Sequence, residues 1–451
     1  PDAAAGRWSP GAHGILLGAG RGALTVALAL PAYLPVVALG LAADAATVRQ
    51  WLAHPDFSLP GLLLAACLLM VEIPLLLAWS ALLSRALGRV KPGVISRWEP
   101  AYVRVWLKGD LLLFAGRWLS GTLWWPTWLR AAGMRLGRGC EISTIIDTVP
   151  ELVEVGPRTF LADGIYLGGP LIHRGTVRLE TVSLGADTFV GNHAVLAGPL
   201  RLPPDVLLGV STRAEQERIT EGSSWFGHPA FELPRREVIV LDRSLTHDPG
   251  FRLYWTRVFW ELMRVTMPVL PLIAGAGWLA AVTAAESALS DWTFRLVALP
   301  LLGLAVPFAG CLVVLALKWL LLGRVRPGIH AFWSGWCGRW DFLYVAWEFW
   351  AREALATLEG TLLLGWYLRA MGARIGRGVV LGEGFAQVVD PDMLVIGDGA
   401  TVDCQLQAHT FEDRVLKIDQ VRIHQGATLG HGSLLLYGAE IGAGEIGRAH
   451  V

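Results

Sequence analysis

Four long apolar runs dominate the pattern of hydrophobic and polar positions. They are Ala23–Ala43, Gly61–Ser84, Val265–Ala285 and Leu296–Leu317. A membrane-spanning helix needs about 20 apolar residues, and buried helices of soluble proteins rarely run this long without charge. The pattern therefore predicts four spans in a lipid bilayer, grouped as a hairpin over residues 23–84 and a second hairpin over residues 265–317.

The flanks of these runs predict an orientation. Basic residues follow the second and fourth runs: Arg85, Arg89, Lys91, Lys318, Arg324 and Arg326. Lys and Arg mark the cytoplasmic side of a membrane, so we expect a multi-pass protein of the inner or plasma membrane with cytoplasmic soluble domains. Glu72, the one charge within the runs, is an intramembrane functional candidate. The alternative is a protonated Glu hydrogen-bonded inside the bundle.

The chain also contains an internal duplication. Gly88–Gly93 (GRVKPG) recurs as Gly323–Gly328 (GRVRPG), and Leu136–Gly139 (LGRG) recurs as Ile375–Gly378 (IGRG). Self-similarity at a fixed period indicates tandem structural units. We expect two copies of a unit made of a membrane hairpin, a Trp-rich stretch and a glycine-punctuated domain, the second copy being truncated.

A hexapeptide rhythm runs through the glycine-punctuated parts. An aliphatic residue is followed by Gly, two variable positions and a small or β-branched residue, as in Leu184–Phe189 and Ile396–Thr401. Each hexad can form one flat face of a triangular coil whose turns stack on one another. The predicted fold class is therefore membrane α-helical hairpins alternating with left-handed parallel β-helix (hexapeptide-repeat) domains. The alternative is a Gly-rich sandwich.

The predicted boundaries follow from these patterns. They are an N-terminal linker (1–22), transmembrane hairpin 1 (23–84), Trp-rich amphipathic helices (85–132), β-helix domain 1 with an exit strap (133–245), an amphipathic linker (246–264), transmembrane hairpin 2 (265–317), Trp-rich amphipathic helices (318–371), the truncated β-helix domain 2 (372–444) and a sequencing artefact (445–451). The Trp-rich helices are expected either in the headgroup region or packed between span and coil.

Composition removes several classes of function. Hydrophobic residues make up 53% and charged residues 17% of the chain, against about 25% charged in soluble proteins. The 38 Lys and Arg balance the 38 Asp and Glu, so there is no bulk electrostatic case for a nucleic-acid partner. The five cysteines form no paired motif, and no set of side chains has the spacing of a metal site.

A polar stretch of the second copy, His409–Lys417, breaks the hexapeptide rhythm and is predicted to project as a loop. Function often lies on loops held by a rigid scaffold. A neutral His409 is the candidate base that takes a proton from an attacking amine or hydroxyl, with Glu412 or Asp413 orienting its ring. The alternative is a solvated loop that caps the edge of the coil.

Basic residues near this loop are candidates for substrate binding. Arg414 and Lys417 are suited to a phosphate or carboxylate. The first copy has a shorter counterpart at His173 and Arg174.

These features together resemble a known group of enzymes. The paired spans, the hexapeptide domain, the segments Ser224–Pro229 and Leu233–Arg236, and the sequence His409–Arg414 look like the C-terminal membrane region of the Pls/PosA family of non-ribosomal peptide synthetases, which includes the ε-poly-lysine synthetases. The resemblance implies a fragment of a longer enzyme with six spans and three soluble domains. It implies upstream adenylation and carrier domains, whose phosphopantetheine presents the aminoacyl unit, so that no cofactor is bound directly.

The function implied by the resemblance is transfer of carrier-bound aminoacyl units to an amino acid or a growing peptide amine. Hexapeptide enzymes usually work as trimers, so a further tandem copy is expected to complete a pseudo-trimer. Two alternatives remain open: another hexapeptide acyltransferase that acts on a lipid or sugar, and a non-catalytic membrane scaffold or product conduit with Glu72 facing the path.

Overall fold

The chain divides into two compact units. The computed structural model describes residues 9–42, 46, 58–234, 239, 241–412 and 414–447. The first unit comprises Pro1–Asp56 and Cys67–Val238, and the second unit comprises Phe57–Ala66 and Ile239–Val451. Each unit contains one copy of the duplicated soluble domain.

Among the described residues, four helical stretches are long and apolar enough to cross a membrane. They are Pro10–Leu34, Leu59–Ala86, Arg243–Ala288 and Asp291–Leu321. Each overlaps one of the four predicted apolar runs, and together they indicate membrane association. The first helix begins at Pro10 rather than at residue 23. The charge of Arg21 within it is matched by Asp110, whose Oδ1 lies 2.8 Å from the guanidinium.

The helices fall before and after the coils. Their bounds are Pro10–Ala42, Leu59–Ala86, Pro100–Leu119, Trp125–Ala132, Arg243–Thr246, Phe251–Leu262, Val269–Ala288, Asp291–Thr293, Leu299–Leu321, Gly335–Trp350, Arg352–Ala356 and Leu362–Ala370, with 3-10 turns at Pro150–Leu152, Met263–Thr266 and Pro391–Met393 and a π-turn at Phe294–Ala298.

In the first unit, short strands form three parallel sheets that the chain visits in rotation. The first sheet contains the strands Arg135–Leu136, Val153–Val155, Val182–Leu184 and Leu200–Arg201. The second sheet contains Glu141–Ile142, Phe160–Leu161, Phe189–Val190, Leu207–Leu208 and Ser224–Phe226, with the antiparallel strand Phe231–Glu232 at its edge. The third sheet contains Ile145–Ile146, Ile165–Leu167 and Val195–Leu196. We call this stack of sheets the coil of the unit.

The coil of the second unit repeats this arrangement. Its first sheet contains the strands Arg374–Ile375, Leu394–Ile396, Val421–Ile423 and Glu440–Ile441. Its second sheet contains Val380–Leu381, Thr401–Val402, Thr428–Leu429 and Ile446–Gly447. Its third sheet contains Gln405–Gln407 and Leu434–Leu436. The parallel sheets are confirmed in both units, and the left-handed winding stays a prediction. Ile446–Gly447, which we expected to lie outside the native chain, pairs with Thr428–Leu429.

The hexapeptide pattern explains the packing of each coil. The aliphatic positions point inward, and Val155, Leu184 and Ile396 are all buried. Glycine occupies corners where successive turns come close. A Cβ at Gly156 would collide with the backbone of Gly185, so a larger residue at that corner would force the two turns apart.

Each coil is interrupted by an antiparallel hairpin that docks on a strand outside the coil. In the first unit the hairpin strands Leu171–His173 and Thr176–Leu179 pair with each other, and Thr176–Leu179 also pairs with Gly93–Ser96. In the second unit the strands His409–Glu412 and Val415–Ile418 pair with each other and form what we call the second hairpin. Its strand Val415–Ile418 also pairs with Gly328–Ala331. The docking strand begins in both cases with the last glycine of the duplicated GRV(K/R)PG motif.

The Trp-rich helices pack largely against protein. Trp125, Trp128, Trp340 and Trp347 are buried, whereas Trp366 is exposed. The indole Nε1 of Trp347 donates to the carbonyl of Ala386 at 2.9 Å. These contacts correspond to the core-packing alternative for these four buried tryptophans.

Candidate functional site

The second hairpin places His409 and Glu412, which were expected to act together, on opposite faces of one strand. Successive side chains of a strand point to opposite faces, so His409 and Phe411 share one face while Thr410 and Glu412 share the other. Glu412 Oε2 accepts a hydrogen bond from Lys417 Nζ at 2.7 Å. Glu412 therefore belongs to an ion pair on the reverse face and does not orient the ring of His409.

The carboxylate beside His409 is Asp390. Its Oδ2 lies 3.2 Å from Nδ1 of His409, with Asp390 fully buried and the histidine side chain 12% exposed. This distance is within ion-pair range, although the two atoms are not aligned as a hydrogen bond. Trp340 Nε1 donates to the other oxygen of Asp390 at 2.9 Å. The carboxylate is thus fixed on one side by an indole and faces the imidazole on the other.

The backbone of Asp390 is held in an uncommon conformation. Its φ of +61° and ψ of +58° lie in the left-handed region, directly before the 3-10 turn Pro391–Met393. Asp is one of the few residues other than Gly that enter this region. The amide of Asp390 donates to the hydroxyl oxygen of Tyr344 at 2.7 Å. Residues in uncommon backbone conformations are retained where many surrounding contacts stabilise them, and they are frequent at functional sites.

Aromatic rings line the rest of this face. Trp340 meets His409 edge to face, with ring centroids 5.3 Å apart, and Phe411 lies 6.1 Å from Trp340. His330 stacks on Trp336 at 3.7 Å. Burial lowers the pKa of His330, and the negative charge of Asp390 opposes that shift. Burial and the same charge raise the pKa of the Tyr344 phenol, which therefore stays protonated.

The predicted substrate-binding side chains of the second hairpin are engaged within the protein. Arg414 is 2% exposed, has a φ of +67°, and places Nη1 3.2 Å from Nε2 of His247. Lys417 is also buried, in its pair with Glu412. Asp413 lies outside the described residues.

A buried ion pair fixes the 3-10 turn that follows Asp390. Lys318 Nζ lies 2.9 Å from Oδ2 of Asp392, and both side chains are almost fully buried. Lys318 is near the end of the apolar helix Leu299–Leu321. The first unit has the same feature, in which Lys108 pairs with Glu151. In both units a lysine from a helix outside the coil clamps the acidic residue that follows the proline of the turn.

Among its described residues, the first unit has apolar side chains at the positions of Asp390 and His330. Aligning the turns at Pro150 and Pro391 places Val149 at the position of Asp390. Matched strand registers place Ile95 at the position of His330, because the two pair with Val177 and Leu416 respectively. Val149 and Val177 are buried in one apolar cluster, with Ile95 packed against it.

The hairpin histidine of the first unit is not the counterpart of His409. His173 pairs with Thr176 at the end of its strand, as Glu412 pairs with Val415. Continuing the register places Pro170 at the position of His409. His173 is exposed, and the neighbouring Arg174 forms the turn with a φ of +47°.

The remaining candidates lie away from this site. Glu72 is in the helix Leu59–Ala86 and is half-buried, and its Oε1 has no hydrogen-bond partner among the described residues. Within the described ranges, no group of three His, Cys, Asp or Glu side chains is placed to hold a metal ion.

Sequence reasoning missed Asp390 and Trp340. A comparison of the two copies in the sequence would have pointed to Asp390, because the second copy has Asp390-Pro391-Asp392 where the first copy has Val149-Pro150-Glu151. When one copy of a duplicated core has a buried acid where the other has a hydrophobic residue, the acid needs a polar partner. The partners of Asp390 are His409 and Trp340.

The chain is similar to a poly-amino-acid synthetase. It is 32% identical over 372 residues to delta-poly-L-ornithine synthetase of Acinetobacter baumannii (strain AB307-0294), a match that covers 80% of this chain. The chain spans 28% of the length of that relative. No protein-family model matches the chain.

A comparison with solved structures finds AntD, an N-acyltransferase from Bacillus cereus in complex with dTDP and 3-hydroxybutyryl-CoA. The match covers 25% of this chain and 88% of AntD, with 12% identity and a TM-score of 0.17. That score is too low to relate the two folds.

Proposed function

We propose that this chain is the C-terminal membrane region of a poly-amino-acid synthetase, and that its second unit transfers aminoacyl groups from a carrier thioester to an amine. Two observations support the proposal: the similarity to delta-poly-L-ornithine synthetase and the pairing of His409 with a buried carboxylate. In this proposal the chain is part of a longer protein with adenylation and carrier domains upstream, its soluble domains face the cytoplasm, and both coils are left-handed.

The roles of the residues follow from the geometry. The amine nitrogen of the acceptor attacks the thioester carbonyl carbon, so a C–N bond forms and the C–S bond breaks. His409 accepts the proton lost by the nitrogen and returns it to the departing thiolate. The charge of Asp390, close to Nδ1 of the ring, stabilises the imidazolium that forms between the two transfers.

The observation that carries this proposal is the difference between the two units. Both have the coil, the docked hairpin and the lysine–carboxylate clamp, so those features serve the architecture. Only the second unit, within the described residues, adds His409 and Asp390, where the first unit has Pro170 and Val149. A buried acid and a histidine cost stability relative to an apolar core, and a chemical role for the pair explains why this copy contains them.

The substrate reaches the site on a carrier. A phosphopantetheine arm is long and flexible, and the thioester it presents has a good leaving group. Positioning and one base then account for the rate without a covalent enzyme intermediate. Cys337 lies on the same helix as Trp340, and burial raises the pKa of its thiol to about 12. Cys337 is therefore unsuited to nucleophilic attack.

An assay with a small thioester tests this function. The chain is reconstituted in lipid nanodiscs and given an aminoacyl-pantetheine thioester with a free amino acid, and amide formation is followed by mass spectrometry. We expect dipeptide above the uncatalysed background. Parallel reactions with a glycerolipid or a sugar amine as acceptor test the other acyltransferase class. Transfer to those acceptors with none to the amino acid would contradict the proposal.

A further inference from the structure

The helix Phe251–Leu262 carries an exposed aromatic face. Exposed side chains on this face are Phe251 (81%), Trp255 (53%), Phe259 (54%) and Leu262 (48%). These residues recur every three or four positions and therefore form one stripe along the helix. A contiguous exposed apolar patch of this kind marks an interaction surface.

The opposite face of the helix is firmly packed within the second unit. Glu261 is buried on this face, and Val258, at the edge of the stripe, is buried as well. Arg257 Nε donates to Glu261 Oε1 at 2.7 Å, and its guanidinium lies 4.5 Å from the ring centre of Trp333. These contacts hold the helix in a fixed orientation, and the aromatic stripe is therefore on its exposed side.

The position of the helix along the chain identifies what covers the stripe. The 3-10 turn Met263–Thr266 follows Leu262 directly and leads into the apolar helix Val269–Ala288. That helix belongs to a candidate membrane span. The same candidate span, Arg243–Ala288, includes the helix Phe251–Leu262, so the stripe lies on the stretch that leads from the soluble domain into the apolar helix.

A second helix at the same level has the same property. On the helix Leu362–Ala370, the side chains of Leu362, Leu363 and Trp366 are exposed. The carbonyl of Ala370 accepts a hydrogen bond from Trp319 Nε1 at 2.9 Å, near the end of the span Asp291–Leu321. One aromatic helix therefore accompanies each of the two spans of the second unit.

We propose that the face Phe251–Trp255–Phe259–Leu262 binds the lipid bilayer interface, holding the second unit flat against the membrane. Aromatic rings favour this depth because they are apolar bodies with a polar edge. The driving force is apolar burial rather than charge. The proposal does not depend on the chemistry of His409.

Depth-dependent fluorescence quenching tests this assignment. In a Cys67→Ser background, single variants Trp255→Cys, Leu304→Cys and His431→Cys are labelled with an environment-sensitive dye. The full chain is reconstituted in phosphatidylcholine vesicles and in vesicles with one third phosphatidylglycerol. Leu304 is an exposed position within a span, and His431 is an exposed position on the coil. The four remaining cysteines are buried, which keeps background labelling low.

We expect the dye at 255 to be quenched at least twofold more by shallow than by deep spin-labelled lipid, in both vesicle types. The dye at 304 is expected to show the reverse preference, and the dye at 431 to be unaffected by either lipid. A dye at 255 that behaves as at 431 would overturn the proposal. A dye at 255 that is shielded from water yet unquenched by lipid would also overturn it and would assign the face to a protein partner.

Discussion

Oδ2 of Asp390 lies 3.2 Å from Nδ1 of His409, and the indole of Trp340 holds the other oxygen of the same carboxylate. The side chain that approaches the histidine comes from a distant part of the second unit, and not from Glu412 of its own hairpin.

Replacing Asp390 with Asn tests the importance of this contact. Asn tolerates the left-handed backbone of residue 390, so we expect the fold to survive. The ring of His409 loses its charged partner, and aminoacyl transfer is expected to fall by about 10- to 1000-fold. Transfer rates and thermal unfolding of the same sample separate the two effects. Full activity with an unchanged melting temperature would remove Asp390 from the mechanism.

The pair Lys318–Asp392 is expected to stabilise the second unit. Changing Lys318 to Met leaves Asp392 buried without a counter-ion, which costs about 3–5 kcal/mol. The double variant Lys318→Met, Asp392→Leu is expected to recover most of that loss. Denaturant unfolding in detergent measures both. The matched variant Lys108→Met provides the comparison in the first unit, and a double variant as unstable as the single one would show that the charges are not the cause.

The buried imidazole of His330 predicts a pH dependence of stability. Its pKa in the folded protein is below the ordinary 6.5, so between the two values the unfolded chain binds more protons. The free energy of unfolding is then expected to fall, through this group, as pH drops below 6.5 towards the lower pKa of the folded state. In His330→Phe that part of the loss should vanish. The variant His431→Gln, at an exposed position on the coil, is measured in parallel as a histidine replacement outside the core.

Thiol reactivity reports the integrity of the second unit. Burial raises the pKa of Cys337 and of Cys404 to about 12, so neither forms thiolate near pH 8. We expect both to react with a maleimide only after unfolding. Mass spectrometry of the labelled peptides follows this, and rapid labelling of Cys337 in the folded protein would contradict the packing described for the helix Gly335–Trp350.

The sequence was sufficient for the large features because each rests on a local pattern. Apolar length predicts the helices that carry Ala23 and Leu296, and the glycine at position 156 marks a corner that any larger residue would disrupt. The duplicated GRVKPG motif predicted the repeat, although not that Gly93 begins a strand docked on a hairpin far along the chain.

The site was predicted only in part because its residues are distant in sequence. His409 is recognisable as a polar residue where the hexapeptide repeat is interrupted, whereas Asp390 precedes the turn Pro391–Met393 and contacts a helix that begins at residue 335. Glu412 lies close to His409 in sequence, yet strand alternation places it on the other face. Neighbours along a strand are poor guides to partners across a fold.

Single-turnover transfer by His409→Ala is the most direct test of the central claim that the second unit holds the transfer site. The longer synthetase containing this chain is loaded with a radiolabelled aminoacyl group on its carrier, mixed with free amino acid, and sampled for peptide. We predict normal loading and peptide formation reduced by about 100-fold or more, while His173→Ala in the first unit remains at the wild-type rate. Normal peptide formation by His409→Ala would contradict the account.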